Sequence, residues 1–190
     1  PPTLHPTEED PTMARHPKSP AVPDSPEVPT IGADQVLHGD FHLVRHYGAP
    51  PARVFRAFAD PERKRRWFAE GEGFQVLEYA LDFRPGGTET ARFSTSHGMI
   101  VQNDTTILDI VKDQRIVIAY TMSTDGRPFS ASLATFVFRS EGSGTRLEMT
   151  EQGAWFQGGD GPAMREWGTR QLLDALGREL GEASEGSDPT

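Results

Sequence analysis

The chain has 190 residues, a formal net charge of −9, 35% hydrophobic residues and no cysteine. This length allows one domain with tails, and it leaves enough chain for a sizeable core. The lack of cysteine excludes a disulfide scaffold, a thiolate metal site and a cysteine nucleophile.

The charge distribution and the short apolar runs argue against a nucleic-acid-binding protein and against a membrane-spanning protein. Residues 39–180 hold 19 acidic and 17 basic side chains. A segment so nearly balanced disfavours nucleic acid as a partner, since phosphate binding needs a concentrated basic face. The longest apolar run, Ile116 to Tyr120, has five residues, against roughly 20 for a membrane span. The N-terminus lacks the basic-then-apolar pattern of a secretory signal, so a cytoplasmic location is expected.

Two terminal segments are predicted to be disordered. Residues 1–38 are acidic and carry nine of the 16 prolines within their first 30 positions. They bury too little apolar surface to offset the entropy of ordering. Residues 181–190 form a second acidic, polar tail. One domain is therefore expected over residues 39–180, and the biological start, before Pro1 or at Met13, is left open.

The domain is predicted to begin with a strand and two short helices. Residues 41–47 alternate between two faces, as in a strand. Two prolines end this strand, and apolar residues at helical spacing then predict a helix over 51–59. Asp60 has the side chain of an N-cap and precedes a proline, so a second short helix is predicted to about Phe68.

Six further strands and a long helix are predicted to follow. The connections between these strands are too short for crossovers, so neighbours are antiparallel and form a meander. A helix over residues 162–180 carries leucines on one stripe and can cover the apolar face of the sheet, giving an α+β fold. A curved sheet cannot touch a straight helix along its whole length, which leaves interior volume for a ligand. The six strands are predicted at residues 74–83, 88–95, 99–111, 115–123, 127–139 and 145–152.

Several short motifs follow one another along the domain. They are Ala49-Pro50-Pro51 through Val54-Phe55, Asp60-Pro61-Glu62 with Trp67, Asp82 to Gly87, Asn103-Asp104, Leu108 to Val111, Arg115 to Val117, Gly144 to Leu147, and Thr150 to Gly153. Because these motifs occur in this order across about 140 residues, the chain resembles the START-like, helix-grip superfamily called SRPBCC. Within it, the chain resembles the bacterial branch named after the activator of heat-shock protein 90 ATPase homologue.

The resemblance implies a curved antiparallel sheet of about six to seven strands wrapped around a long C-terminal helix, with a hydrophobic cavity between them. Members of the superfamily bind lipids, polyketides, hormones or other apolar molecules, and a few catalyse cyclisation or dehydration. We therefore expect a protein that binds a small hydrophobic molecule and needs no cofactor. One alternative is a polyketide cyclase- or dehydratase-like enzyme; whether any reaction is catalysed is left open.

A second alternative is a protein-interaction module like the chaperone activator. Its support is the run of four cations from Arg63 to Arg66, which could bind an anionic partner. The competing interpretation is that these cations form a solvated helix face.

The sixth strand contributes the first candidates for a ligand site. One of its faces runs from small to large, and small inward residues leave room at their end of the sheet. That room is filled either by a ligand or by a close approach of the terminal helix. The residues on this face are Ser130, Ser132, Ala134, Phe136 and Phe138.

Two charged residues fall in register with apolar neighbours. Arg45 shares its face with Leu43, and Glu151 shares its face with Met149. Since an unpaired buried charge is expensive, each needs a partner. Either the two pair with each other, or Arg45 anchors a ligand carboxylate while Glu151 acts as a general base or hydrogen-bond acceptor.

The remaining candidates are aromatic residues and methionines. Tyr120 and Trp167 could line a pocket while their polar ends touch a ligand, and Tyr120 is a third candidate for acid–base catalysis. Met149 and Met164 would suit a pocket that adapts its shape. Plain core packing is the alternative for all four.

Metal and phosphate sites are not expected. Three of the six histidines lie in or beside the first tail, and neither an HExxH motif nor another helical histidine pair is present. The sequence also lacks a G-x-S-x-G elbow and a glycine-rich phosphate loop.

Overall fold

The computed structural model of the chain describes residues 25–70 and 74–181. Residues 1–24 and 182–190, which make up most of the two predicted tails, lie outside the described residues. The described part of the first tail leads into the first strand, and Ile31 within it is buried. Among the described residues, no helix is both long enough and apolar enough to cross a membrane.

The first strand and the short helices match the predicted order. Strand β1 spans Leu37–Tyr47, helix α1 spans Pro51–Ala59 and helix α2 spans Pro61–Lys64. The carboxylate of Asp60 accepts hydrogen bonds from the backbone N–H groups of residues 62 and 63, which confirms its predicted capping role. Helix α2 continues into a π-helical turn, Arg65–Ala69.

Seven antiparallel strands form one sheet in the order β1-β7-β6-β5-β4-β3-β2. Strands β2 to β7 form the predicted meander. The first strand, β1, pairs with the last strand, β7. This pairing begins at Leu37 opposite Trp155, so both strands are longer than their own alternation predicted. Strands β2 to β7 span Phe74–Leu81, Thr88–Thr95, Ile100–Val111, Arg115–Thr124, Arg127–Glu141 and Gly144–Trp155.

Helix α3, Gly161–Glu179, packs mainly against β1 and the π-helical turn, while α1 lies over β6 and β7. The predicted leucine stripe is buried at Leu173, Leu176 and Leu180, and Leu172 is half-buried beside them. Toward the start of the helix, the buried face continues through Thr169 and Arg165. An arginine and a threonine therefore enter the interior.

The apolar core contains Phe58, with ring centroids of Trp67, Phe136 and Phe138 at 4.9, 5.1 and 5.3 Å. Such edge-on contacts add to the free energy gained by burying the rings. The interior also contains buried polar side chains. They include Lys64, Glu89, Asn103, Thr105, Ser130, Ser132, Glu151, Arg165 and Thr169.

Candidate functional site

A buried polar network joins helix α3 to the middle of the sheet; we define it as Tyr120, Ser130, Glu151, Asp160 and Arg165. The Tyr120 hydroxyl donates to Oε1 of Glu151 at 2.5 Å and accepts from the Arg165 guanidinium at 2.8 Å. Arg165 also donates to Glu151 at 3.3 Å and to Oγ of Ser130 at 2.9 Å. Asp160 holds the guanidinium through both carboxylate oxygens.

Sheet register brings the strand members of this network together. Tyr120 on β5 lies opposite Ser132 on β6, and Glu151 on β7 lies opposite Ala134, the next inward residue of β6. Arg165 reaches them from the first turns of α3. Two of the predicted catalytic candidates, Tyr120 and Glu151, are therefore within hydrogen-bonding distance of each other.

Burial sets the protonation of the network. Burial raises the pKa of Glu151 above its ordinary value, although Arg165, Tyr120 and Ser132 each favour the ionised form. Burial likewise raises the pKa of the Tyr120 hydroxyl, which stays protonated and able to donate. Burial opposes the positive charge of Arg165, but its neighbours Tyr120, Asp160 and Glu151 outweigh this effect and raise its pKa.

Two polar atoms at the same end of the interior are buried and lack a hydrogen-bond partner among the described residues: Oγ of Ser132 and Nε1 of Trp155. The Trp155 ring folds back over Gly153, where an added Cβ would lie 2.6 Å from the ring and 3.0 Å from the Ser132 hydroxyl. The Arg165 guanidinium lies 5.7 Å from the Trp155 ring centroid. Beside the small residues of β6, Arg165 of α3 thus contacts Ser130, while Trp155 of β7 lies over Gly153 near Ser132.

Beside the network, several apolar side chains that face the helix side of the sheet are incompletely covered. Ile118, Tyr120 and Phe136 point to that side, yet each is only half-buried. On α3, Gly168 lies one turn before the half-buried Leu172, and a Cβ added at Gly168 would meet no atom within 4 Å. We group these incompletely covered residues under the name helix–sheet crevice: Phe68, Ile118, Tyr120, Phe136, Gly168 and Leu172.

A second buried ion pair lies toward β3. Nζ of Lys64 is 2.6 Å from Oε2 of Glu89, and the Tyr79 hydroxyl donates to Oε1 of Glu89 at 2.8 Å. Lys64 is 7% exposed, so the solvated-face interpretation is wrong for this member of the cation run. Its ammonium also lies 5.0 Å from the centroid of Phe68, at the edge of the crevice.

The other three cations of the run are also paired within the chain. Arg63 and Arg66 bind Glu179 at the end of α3, and Arg65 binds Glu70. Arg65 and Arg66 are about half exposed. The run therefore ties α2 and the π-helical turn to α3, which weakens the sequence argument for an anionic protein partner.

The predicted pairing of Arg45 with Glu151 is wrong. Arg45 bonds Asp174 on α3 at 3.1 Å, and its side chain is 24% exposed. It lies opposite Leu147 in the β1–β7 register, two inward positions away from the Phe41–Glu151 pair. Arg45 is therefore a rim residue that fastens the helix to β1, and Arg165 holds the interior position that the sequence gave to Arg45.

The other predicted site residues divide between the core and the crevice. Met149 is buried in the apolar core, and Ser130 is fully buried as an acceptor for Arg165. Phe136 packs on Phe58 but is half-buried. Met164 and Trp167 on α3 are half-buried near Gly168 in sequence. Their roles at a ligand site stay predictions.

Arg165 is the main residue that sequence reasoning missed. Its signal is the spacing of Arg165, Thr169, Leu173 and Leu176, which places it on the buried stripe of the helix. An arginine at such a position needs an acidic partner in the interior. Glu89 carried a similar signal, because it alternates with the buried Ala91 on β3.

A shallow cleft of about 450 Å³ also crosses strands β3 to β6. Its lining includes the exposed residues Thr88, Asp104, Thr106 and Thr121. It also includes inward residues that alternate with them: Glu89, Thr105, Tyr120 and Ser132. The cleft therefore shares Tyr120 with the helix–sheet crevice.

Residues 48–181 match the family model described as Activator of Hsp90 ATPase homolog 1-like protein, abbreviated AHSA1. The chain belongs to the AHSA1 family. Among curated proteins, no significant match is found. The match to the AHSA1 family model confirms the resemblance noted in the sequence, and the sheet topology confirms the helix-grip fold.

Solved structures of AHSA1-type fold agree with this assignment. The Mll3558 protein of Rhizobium loti is 49% identical, covering 77% of this chain and 99% of its own, with a TM-score of 0.71. A protein of Rhizobium leguminosarum is 41% identical, covering 77% and 97%, with a TM-score of 0.74. An AHSA1-like protein of Aeromonas hydrophila, at 20% identity, 80% and 99% coverage and a TM-score of 0.59, shares the fold.

Among residues 25–70 and 74–181, no three or more of the histidine, aspartate and glutamate side chains are grouped so that they could hold a metal ion.

Proposed function

We propose that this AHSA1 family member binds a small, largely apolar organic molecule in the helix–sheet crevice, with a polar group of the ligand next to the buried polar network. The observation that carries this proposal is the open space at Gly168. It is supported by the apolar side chains of the crevice, which are only half-buried although they pack against the core. Apolar walls with a few convergent polar groups are the usual composition of small-molecule sites.

Filling the crevice tests this proposal. Gly168→Phe adds a ring where a Cβ meets nothing within 4 Å, so the helix should tolerate it. Gly168→Ala is the matched control, because it changes the backbone in the same way and fills little space. Native mass spectrometry of protein purified from its own host should find a retained small molecule on wild type and on Gly168→Ala, and none on Gly168→Phe. Retention by all three proteins, or by none, would contradict the crevice as a ligand site.

Thermal denaturation with a panel of lipids, polyketide-type compounds and aromatic molecules gives a second measurement. A ligand that binds only the folded state raises the melting temperature as its concentration rises above its Kd. We expect at least one class to stabilise wild type and Gly168→Ala, while Gly168→Phe is unaffected.

A polyketide cyclase- or dehydratase-like enzyme is the second candidate, favoured by the contact between Tyr120 and Glu151. A buried carboxyl with a raised pKa is a stronger base than an ordinary carboxylate, and once it has taken a proton the Tyr120 hydroxyl can turn to hydrogen-bond a developing oxyanion. The elementary step would be proton abstraction beside a carbonyl, with the proton moving from the substrate carbon to Glu151.

Deuterium exchange into a 1,3-diketone, followed by NMR, measures that step directly. Wild type should accelerate exchange and Glu151→Gln should not. Glu148→Gln is the control, because Glu148 lies on the other face of β7, where it pairs with Arg139. Equal acceleration by wild type and Glu151→Gln would exclude this carboxyl as the base.

A further inference from the structure

The hydrogen-bonding capacity of Arg165 is fully used. Its five N–H donors have five acceptor contacts: two to Asp160, and one each to Tyr120, Glu151 and Ser130. The guanidinium is 7% exposed and held on several sides. It therefore has no donor left for a ligand anion.

The other cations that face the interior are also neutralised. Lys64 pairs with the buried Glu89, and Arg45 at the rim pairs with Asp174. Arg63 and Arg66 pair with Glu179 on α3. With Asp160 ionised, the charges of the buried polar network sum to zero when Glu151 is protonated and to −1 when it is ionised.

The hydrogen-bonding capacity that remains at this end of the interior belongs to the Ser132 hydroxyl and the indole N–H of Trp155, neither of which has a partner in the described ranges. Ser132 is 7% exposed. It lies close enough to Glu151 to favour the ionised carboxylate. A serine hydroxyl both donates and accepts, so it can bind a hydroxyl or a carbonyl group.

From these contacts we infer that the ligand of the crevice presents a neutral hydroxyl or carbonyl group to Ser132 and Glu151, and that ligands with a carboxylate at this end are rejected. The inference rests on the proposed function. A neutral hydroxyl can donate to Glu151 and accept from Ser132, which satisfies a buried atom that otherwise lacks a partner. A carboxylate would lose its hydration beside Glu151 and Asp160, with no free cation to compensate.

Matched ligand pairs test the head group on the full chain. Calorimetric titration at pH 7.5 compares 2-naphthol with 2-naphthoate and 1-decanol with decanoate, since each pair shares its apolar body. We expect the alcohol to bind at least about tenfold more tightly than the carboxylate. Ser132→Ala should weaken the alcohols about fivefold and leave the carboxylates unchanged. Ser140→Ala, which alters an exposed residue of the same strand, is the control and should change neither.

The outcomes separate this inference from the proposed function. If carboxylates bind as tightly as alcohols, or more tightly, and Gly168→Phe abolishes their binding, the crevice binds ligands but the neutral head group is wrong. If alcohol binding is insensitive to Ser132→Ala, the inference is also wrong. If neither member of either pair shows binding that Gly168→Phe abolishes, both the proposed crevice and its head-group preference fail.

Discussion

The Tyr120 hydroxyl lies 2.5 Å from Oε1 of Glu151 and donates to it. The hydroxyl oxygen of Tyr120 also accepts a hydrogen bond from Arg165 on α3. One tyrosine thus connects a carboxyl group on β7 with a guanidinium group on the helix.

Removing the hydroxyl should shift the titration of Glu151. The hydrogen bond from Tyr120 lowers the pKa of this carboxyl and so opposes the effect of burial. Tyr120→Phe should therefore raise the pKa of Glu151 further, as followed by ¹³C NMR of the carboxyl carbon. Tyr79→Phe removes a similar bond to Glu89 and should leave the Glu151 titration in place. An unchanged pKa in Tyr120→Phe would contradict the model of the network.

The stability of the protein should depend on pH through Glu151. A carboxyl whose pKa is higher in the folded than in the unfolded state binds more protons when folded, so its ionisation costs stability as pH rises. This cost is absent below the ordinary value near pH 4.5 and complete above the raised pKa. Urea unfolding between pH 4.5 and 8 should show wild type losing stability relative to Glu151→Gln as pH increases. A constant difference would show that the pKa is not raised.

Arg165 should contribute more to stability than a comparable surface arginine. Arg165→Met leaves the buried Glu151 without its cation and should cost about 3–5 kcal/mol in urea unfolding. Arg170→Met removes an exposed pair with Glu166 on the same helix and should cost about 0.5 kcal/mol or less. Similar losses in the two variants would contradict a special role for the interior arginine.

The cation run offers a matched comparison between neighbours. Lys64→Met leaves Glu89 buried and unpaired, so about 3 kcal/mol of stability should be lost. Arg65→Met breaks a half-exposed pair with Glu70 and should lose less than about 1 kcal/mol. Chemical denaturation measures both, and a surface-like loss for Lys64→Met would restore the solvated-face interpretation.

Two glycines should respond to alanine in opposite directions. Gly168→Ala adds a methyl group into open space in the middle of a helix, and should stabilise the protein by about 0.5–1 kcal/mol. Gly153→Ala places its methyl group 2.6 Å from the Trp155 ring and should destabilise by about 1–3 kcal/mol. Melting temperatures that move in the same direction would be inconsistent with the packing described.

Local patterns predicted most of the fold. The Asp60 cap, the order of elements and the antiparallel meander were correct, because capping, alternation and short turns act between residues close in sequence. Alternation also placed Tyr120, Ser132 and Glu151 on the inward face of their strands.

The partners of the interior charges could not be read in the same way. Alternation states which face of a strand a side chain occupies, but not where the terminal helix crosses the sheet or how it is rotated. Arg45 and Arg165 were equally able to reach an interior acid as far as the sequence was concerned. The rotation of α3 directs Arg165 inward and leaves Arg45 with Asp174 at the rim.

The sequence by itself therefore determined a single α+β domain of a recognisable family, with Tyr120 and Glu151 facing inward on neighbouring parts of one sheet. Only the tertiary structure decided that Arg165 is their partner, that Lys64 is buried, and that space remains beside Gly168. The physical reason is that strand register follows from local alternation and turns, whereas the fit of a helix onto a curved sheet depends on all the side chains between them.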